Sequence, residues 1–413
     1  MQRYKKEVMR VKNLFKNKSN CCACGACMNI CSQNAIQMVE DEDSFLYPQI
    51  NLEKCVDCGL CEKVCTFQYR EESSDAIIVY AAAQKDSEKI RQSASGGIFA
   101  AIAEAVLNEK GMVYGAEMIA ANNNLCVEHK GINHLENLHE LLGSKYVQSN
   151  INFIYKEIKE KLQDEQFVLF SGTPCQVAGL NGYLQKDYDN LLTIDLVCHG
   201  VPSLKMFQDY IAVVQNRIKG RITNFKFRDK TQGWGLAAKL VFNNQNKETE
   251  ESIISSQDSS YYSLFLKSEI YRDSCYSCKY ASRNRPGDIT IGDYWGIEAR
   301  HPEYLKINGG HLDEKLGISC VLVNTEKGQK QIDKCKDSLY LYPSTFEKIS
   351  EGNQQLKNPS KKGKQRSKIL KLYREKGYGA VEKNFNRLRI MKRGIDKVVP
   401  SKIKSKIKKV LKR

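Results

Sequence analysis

The chain has 413 residues, 41% apolar and 27% charged, room for two or three soluble domains. Its net charge of +16 belongs to the ends: residues 1–20 carry seven Lys/Arg against one acid and 357–413 carry 22 against three, leaving 21–356 with 35 bases and 44 acids. Sixteen cysteines are too many for packing alone, but the opening "MQRYKKEVMRVKNLFKNKSN" has no apolar core or small-residue cleavage site, so export and a disulfide framework are not expected.

In chain order, residues 1–20 form a basic arm. Residues 21–69 hold two cysteine runs, "CCACGACMNIC" (21–31) and "CVDCGLCEKVC" (55–65), offset by 34 residues and so an internal repeat. The polar "REESSD" (70–75) is a linker. From 76 to about 345 strand and helix patterns alternate. Strands are expected over 76–84, 112–118, 167–172, 191–200, 222–229, 288–295 and 317–324, and helices over 96–111, 151–163 and 203–217. This is an α/β pattern large enough for one domain with its own core. The most apolar helical run, "IFAAIAEAVL" (98–107), is too short to span a bilayer and contains Glu104, so a cytoplasmic protein is expected. Residues 346–413 read as a basic, amphipathic helical tail.

Both runs have the spacing C-x2-C-x2-C-x3-C, which matches the pattern of bacterial two-cluster ferredoxins. Three cysteines at three-residue intervals can wrap one four-iron cube, and the fourth, carried on by a short helix, reaches the other. One 4Fe–4S cluster is therefore assigned to Cys21, Cys24, Cys27 and Cys65, the other to Cys55, Cys58, Cys61 and Cys31. Zinc is the alternative, but structural zinc usually takes separated pairs. Ser32 and Thr66 stand where proline is usual in this pattern, and Cys22 is surplus.

Four more cysteines lie at strand ends or in a loop: Cys175 in "FSGTPCQVAGL", Cys198 in "DLVCHGVPS", and Cys275 and Cys278 in "CYSCKYA". Spacing leaves three readings open: a third metal site, a redox-active CxxC pair, or buried small residues. Cys126, Cys320 and Cys335 fit no motif and read as packing residues. The segments "SASGGIFAAIAEAVL", "GSKYVQS", "FSGTPCQVAGL", "DLVCHGVPS", "FRDKTQGW" and "CYSCKYASRNRPGDITIGDYWG" follow one another in that order. Across roughly residues 21–345 the chain resembles the beta-subunit family of coenzyme F420 hydrogenases and dehydrogenases, which includes flavin-containing iron–sulfur reductases. The resemblance implies FAD and a further 4Fe–4S cluster in the large domain, held by Cys175, Cys198, Cys275 and Cys278.

In that context the helix opening at Ser95, Gly96 and Gly97 suits a flavin pyrophosphate. Ser144, Lys145 and Tyr146 are candidates for contact with flavin or substrate, and Arg228, Lys230, Trp234 and Trp295 for the pocket. Lys145 and His199 are the catalytic candidates. In "VVPSKIKSKIKKVLKR" (398–413) Ile403, Ile407, Val410 and Leu411 share one helical face among lysines, a pattern that suits an anionic membrane surface at the inner face of the membrane. A plain solvated tail competes with this, and no base-stacking pattern supports nucleic acid.

The function expected is an iron–sulfur flavoprotein oxidoreductase that moves electrons between a one-electron, ferredoxin-type partner and a two-electron acceptor. That acceptor would be a deazaflavin such as coenzyme F420, a nicotinamide, or a reducible intermediate of polysaccharide biosynthesis. The alternative is an electron-transfer subunit that feeds a separate catalytic partner and has no organic substrate of its own.

Overall fold

The computed structural model describes residues 11–68, 76, 78–121 and 123–398. Near the N-terminus, strands β1 (Val11–Asn13), β2 (Ile36–Glu40) and β3 (Leu46–Asn51) form an antiparallel sheet in the order β1-β3-β2. The later part of the expected basic arm is thus built into the ferredoxin-like domain, with Lys18 bridging Asp41 (2.6 Å) and Glu42 (2.7 Å). The 34-residue repeat is visible in the backbone. Ala23 and Gly25 take left-handed φ values of 53° and 82°, and Asp57 and Gly59 take 50° and 70° at the matching positions. Each pair turns its cysteine loop into a short helix, Ala26–Ile30 or Leu60–Lys63. Glycine suits the second place because it carries no Cβ to clash there.

The large domain follows with β4 (Ile78–Gln84), β5 (Met112–Ala121), β6 (Asn124–Ile132), β7 (Val168–Gly172) and β8 (Leu191–Leu196). A separate three-stranded sheet holds β9 (Arg221–Lys226), β10 (Ala237–Asn243) and β11 (Thr249–Ser255), and β12 (Ile289–Asp293), β13 (Ser319–Val323) and β14 (Leu339–Pro343) return to the first. The resulting eight-stranded sheet runs β14-β4-β13-β12-β8-β7-β5-β6. Its centre, β12-β8-β7-β5, is parallel, and the flanking pairs are antiparallel. Side chains alternate between faces. Val113, Leu169, Leu192 and Val321 pack with the helices Ile98–Asn108 and Glu326–Cys335, whereas Tyr114, Phe170 and Leu191 pack with Ile154–Gln163 and Pro174–Leu184. Burial on both faces explains why these strands read as near-continuous apolar runs.

A third core, rich in aromatics, joins β9–β11 to the helices Leu204–Ile218 and Ser260–Leu266 through Phe207, Tyr210, Phe225, Tyr261 and Tyr262. The C-terminal segment completes it. Residues 346–413 were expected as a tail, yet Ile369, Leu370, Tyr373, Tyr378 and Val381 of the helical segment Arg366–Val398, kinked into two helices at Gly377 (φ 70°), are buried in this core, and Phe346, Ile349 and Leu356 are buried in a separate one with Val79, Ala81 and Leu322. That helical segment hides an apolar face under its lysines. The amphipathic stretch expected at 398–413 lies, beyond Val398, outside the described residues. Among the described residues no helix is long and apolar enough to cross a membrane.

Candidate functional site

Cys21, Cys24, Cys27 and Cys65 come together in the ferredoxin-like domain. Cys27 lies within electrostatic reach of Cys24, Cys21, Cys65 and Cys61, and Cys21 within reach of Cys24 and Cys65. All four line one small cavity with Phe15, Pro48 and Phe67. Burial pushes the Cys21 thiol up to about 12 and Cys27 well above the usual thiol range. Such thiols ionise when a metal centre supplies positive charge. In the other assigned set Cys55 and Cys61 are neighbours and Cys58 is exposed. Cys31 accepts the Ala35 N–H at 3.3 Å and Cys55 accepts the Asp57 N–H at 3.4 Å.

The large-domain cysteines also converge, from three separate elements. Cys175 sits in the first turn of the helix Pro174–Leu184, which begins after β7 because Pro174 suits the first helical position and the Gln176 side chain accepts the Thr173 N–H (3.0 Å). Cys198 follows β8 directly, and Cys275 and Cys278 lie in the 3₁₀ turn Asp273–Ser277 and just after it. Cys198 lies within electrostatic reach of Cys275, Cys175 and Cys278. Burial raises Cys275 to about 12 and Cys278 to about 11, while a hydrogen bond from Cys22 holds Cys175 down to about 7. A fully buried ion pair fixes the CxxC loop against β8: Arg285 Nη2 donates to Asp195 Oδ1 (2.8 Å) and the Gly287 N–H to Asp195 Oδ2 (2.9 Å).

The two thiol groups are packed against each other. Gly179 of the helix Pro174–Leu184 lies so close to Cys24 that a Cβ there would meet its Cβ and Sγ at 2.8 Å. Thr66, where proline is usual in this pattern, donates its hydroxyl to the Ala178 carbonyl (3.2 Å) and accepts from Tyr280 (3.1 Å), so it serves the domain junction. Surplus Cys22 is buried at this junction, within hydrogen-bond reach of both Cys24 and Cys175. Among the described residues no three His, Cys, Asp or Glu side chains close around a single metal ion. A four-iron cube carries each thiolate on a different iron and spreads the set more widely than one ion does.

Beside the large-domain thiols opens a cavity of about 410 Å³ at the carboxyl ends of the parallel strands, where α/β sheets bind ligands. Its wall includes Cys198 and His199 and seven of the eight flavin candidates: Ser95, Gly97, Ser144, Lys145, Tyr146, Arg228 and Trp295. Gly96 is the exception. Its N–H bonds Ser319 Oγ (2.9 Å) and a Cβ would strike the Ala82 carbonyl at 2.5 Å, so it is a close-packing glycine. Gly97, at φ 83°, starts the helix Ile98–Asn108 without a side-chain cap, leaving the first helical N–H groups at the cavity wall.

Arg228 is forked onto Asp293 (2.6 and 3.3 Å) and donates to the Tyr146 hydroxyl (3.2 Å). Trp234 bonds Asp293 as well (3.2 Å) and stacks on Trp295 with centroids 4.7 Å apart. Lys230 stays outside the wall and pins the loop before the helix through the carbonyls of Ile90 and Ser95, both at 2.7 Å. Burial draws Lys145 down to about 7, with its amine on the Leu142 carbonyl at 2.8 Å, and lowers His199. Cys320 and Cys335 are buried in the core, as packing residues should be, and Cys126 accepts from Gln208 (3.4 Å). Sequence reading gave no role to Gln148, Arg272 or the buried pair Asp195–Arg285, because nothing in their neighbouring residues marks them.

Residues 166–348 match the family described as the C terminus of the coenzyme F420 hydrogenase/dehydrogenase beta subunit, and residues 20–69 match a 4Fe–4S dicluster domain. Among solved structures, a chain of the F420-reducing NiFe hydrogenase complex from Methanosarcina barkeri, in a xenon derivative, aligns at 15% identity with a TM-score of 0.42, over 77% of this chain and 92% of that one. No curated protein matches the chain.

Proposed function

Because this chain is a beta-subunit-like member of the coenzyme F420 hydrogenase/dehydrogenase family with an N-terminal 4Fe–4S ferredoxin domain, we propose that it is an iron–sulfur flavoprotein oxidoreductase linking a one-electron, ferredoxin-type partner to a two-electron acceptor. The observation that carries this reading is the placement of Cys175, Cys198, Cys275 and Cys278 between the ferredoxin-domain thiols and the cavity, with Cys198 common to the thiol group and the cavity wall. When bound, 4Fe–4S clusters would supply single-electron transfer and FAD the pairing of two electrons as hydride.

The chain's own residues supply binding and orientation. Cys21, Cys24, Cys27 and Cys65, and Cys55, Cys58, Cys61 and Cys31, would hold the two ferredoxin clusters, and the four large-domain cysteines a third. The uncapped start of the helix Ile98–Asn108 offers backbone N–H groups to a pyrophosphate, with Ser95 and Gly97 beside it. Lys145, its amine drawn down to about 7, can take or give a proton near neutral pH, and His199 stands on the same wall. The Arg228–Asp293 fork holds the rings of Tyr146 and Trp234 in place. A deazaflavin such as coenzyme F420, a nicotinamide or a polysaccharide-biosynthesis intermediate would enter beside the flavin. The segment beyond Val398 would rest on an anionic membrane surface.

Anaerobic purification tests the reading. It predicts broad brown absorbance, about twelve irons per chain for three four-iron clusters, and releasable FAD. Cys275→Ala should remove about four irons and leave the ferredoxin-domain signals. Stoichiometric zinc with little iron would sink the cluster assignment. Clusters without flavin would favour the alternative, an electron carrier that feeds a separate enzyme. Mixing the reduced protein with deazaflavin, nicotinamide and quinone acceptors then identifies the acceptor class.

A further inference from the structure

Three arginines are buried among the described residues, and they differ in one respect. Arg228 pairs with Asp293 and Arg285 with Asp195, but among the described residues no carboxylate pairs with Arg272. Arg272 is only 1% exposed, and its Nη1 has no hydrogen-bond partner. Its other contacts are neutral: Nε donates to Gln148 Oε1 (2.9 Å), Nη2 to the Leu46 carbonyl (2.9 Å), and the guanidinium faces the rings of Tyr47 (4.6 Å) and Phe45 (5.3 Å). A guanidinium does not escape burial by losing its proton, and an uncompensated buried charge is costly. Thiols of both sites lie within its electrostatic influence, Cys21 of the ferredoxin-like domain and Cys175 and Cys275 of the large domain, and as cluster ligands these would be thiolates.

Cys22 stands at the same place. Its side chain reaches Cys24 on one side and Cys175 on the other, and its carbonyl accepts from Gln148 Nε2 at 3.0 Å. Gln148 thus ties Cys22 to Arg272 and also lines the large cavity.

We propose that Arg272, Gln148 and Cys22 form a junction between the two thiol sites, with the guanidinium as the countercharge that two anionic clusters share and the Cys22 thiol as the hydrogen-bonding sulfur that spans them. The proposal rests on reading those thiols as cluster ligands. With clusters bound by these thiols, one electron crossing the junction would oxidise one site by one unit and reduce the other by one, with no bond formed or broken. Reduction adds a negative charge, so a fixed buried cation favours the reduced state, and hydrogen bonds to cluster sulfurs act the same way. Both residues are positioning residues: they tune the clusters without ligating iron.

The test uses the full chain, loaded with iron and sulfide under anaerobic conditions, and reads iron content and the potential of each cluster by EPR-monitored titration. Arg272→Gln should keep the wild-type iron while making reduction of the two adjoining clusters about tenfold less favourable, roughly 59 mV more negative for a one-electron couple. The outer cluster of Cys31, Cys55, Cys58 and Cys61 should not move. Arg272→Lys, which keeps the charge, should restore much of the loss. Cys22→Ala should keep all its iron and shift the same two potentials the same way by less. Full iron with unmoved inner potentials would overturn the junction and leave the proposed function intact. So would equal shifts in all three clusters, or the loss of four irons from Cys22→Ala, which would make Cys22 a ligand. If Arg272→Gln does not fold, Cys22→Ala carries the test through its smaller shift of the same two potentials. A wild-type protein that takes up no iron at the large-domain site would overturn both readings at once.

Discussion

The ring of His129 is held between two fixed partners. Nε2 donates to the Ser171 carbonyl (3.1 Å), so Nδ1 accepts from the Ser149 hydroxyl (3.0 Å), and Phe170 stacks on the ring at 5.2 Å. Burial lowers its pKa to about 4. The unfolded chain therefore binds a proton below about pH 6.5 that the folded protein refuses until about pH 4, so this group makes stability fall as pH falls through that window. The loss amounts to about 3 kcal/mol by pH 4. Urea midpoints measured at pH 7 and pH 4.5 should show it, and His129→Asn should flatten that part of the slope; an unchanged slope would place the acid sensitivity elsewhere. Asp195 gives a sharper case. Asp195→Ala strands the Arg285 guanidinium and frees the Gly287 N–H, and breaking a buried pair from one side costs about 3–5 kcal/mol. The same change loosens the loop that carries Cys275 and Cys278, so thermal midpoint and bound iron should fall together.

At the scale of the element, the helix Pro174–Leu184 carries two tasks along one face, since Cys175, Gly179 and Gly182 follow at i, i+4 and i+7. Its first turn presents Cys175, while Gly179 and Gly182, three residues apart, form a bare strip that admits the ferredoxin-like domain. A Cβ at Gly182 would meet the Val64 carbonyl and Thr66 Cγ2 at 2.6 Å. Gly182→Val should therefore push the domains apart at a cost of about 1–3 kcal/mol and speed proteolysis in the polar linker at 70–75, with ferredoxin-domain iron retained. Equal proteolysis rates in variant and wild type would show that the strip is not what docks the domain. Strands β4, β7, β8, β12 and β13 were legible in the sequence because central strands buried on both faces are runs of apolar and β-branched residues. β11, "TEESIIS", was not, since it is an exposed edge strand with charges along it. The two N-terminal cysteine runs stood out in the sequence by their spacing, whereas Cys175, Cys198, Cys275 and Cys278 were grouped only through the family resemblance, because the fold brings them from three separate elements. Arg272 was not legible, because a charge becomes informative only when the fold leaves it without a carboxylate.

On the scale of the whole molecule, the C-terminal segment Arg366–Val398, two helices that meet at a kink at Gly377, packs against both domains. Its charge made it read as a tail, yet Tyr378 bonds Ser260 (3.0 Å) inside the aromatic core and Tyr373 bonds Asp209 (2.8 Å). The same Tyr373 hydroxyl meets Ser44 (3.3 Å) and Arg374 pairs with Asp43 (3.1 Å), both partners in the ferredoxin-like domain. The helix buries Ile369, Leu370, Tyr373, Tyr378 and Val381. At about 1.5–3 kcal/mol per buried side chain these five represent on the order of 10 kcal/mol, close to the whole net stability of a domain. Two truncations separate the core helix from the basic end. Ending the chain after Asn358 should expose the aromatic cluster, raise binding of a hydrophobic dye and abolish a cooperative thermal transition. Ending it after Val398 should leave the transition in place and remove only what the last 15 residues contribute, measured as retention on vesicles of anionic lipid. A cooperative transition surviving in the shorter chain would mean that the large domain closes its core without the helix. Vesicle binding that survives the longer truncation would move the membrane contact from the lysine-rich end to the folded body.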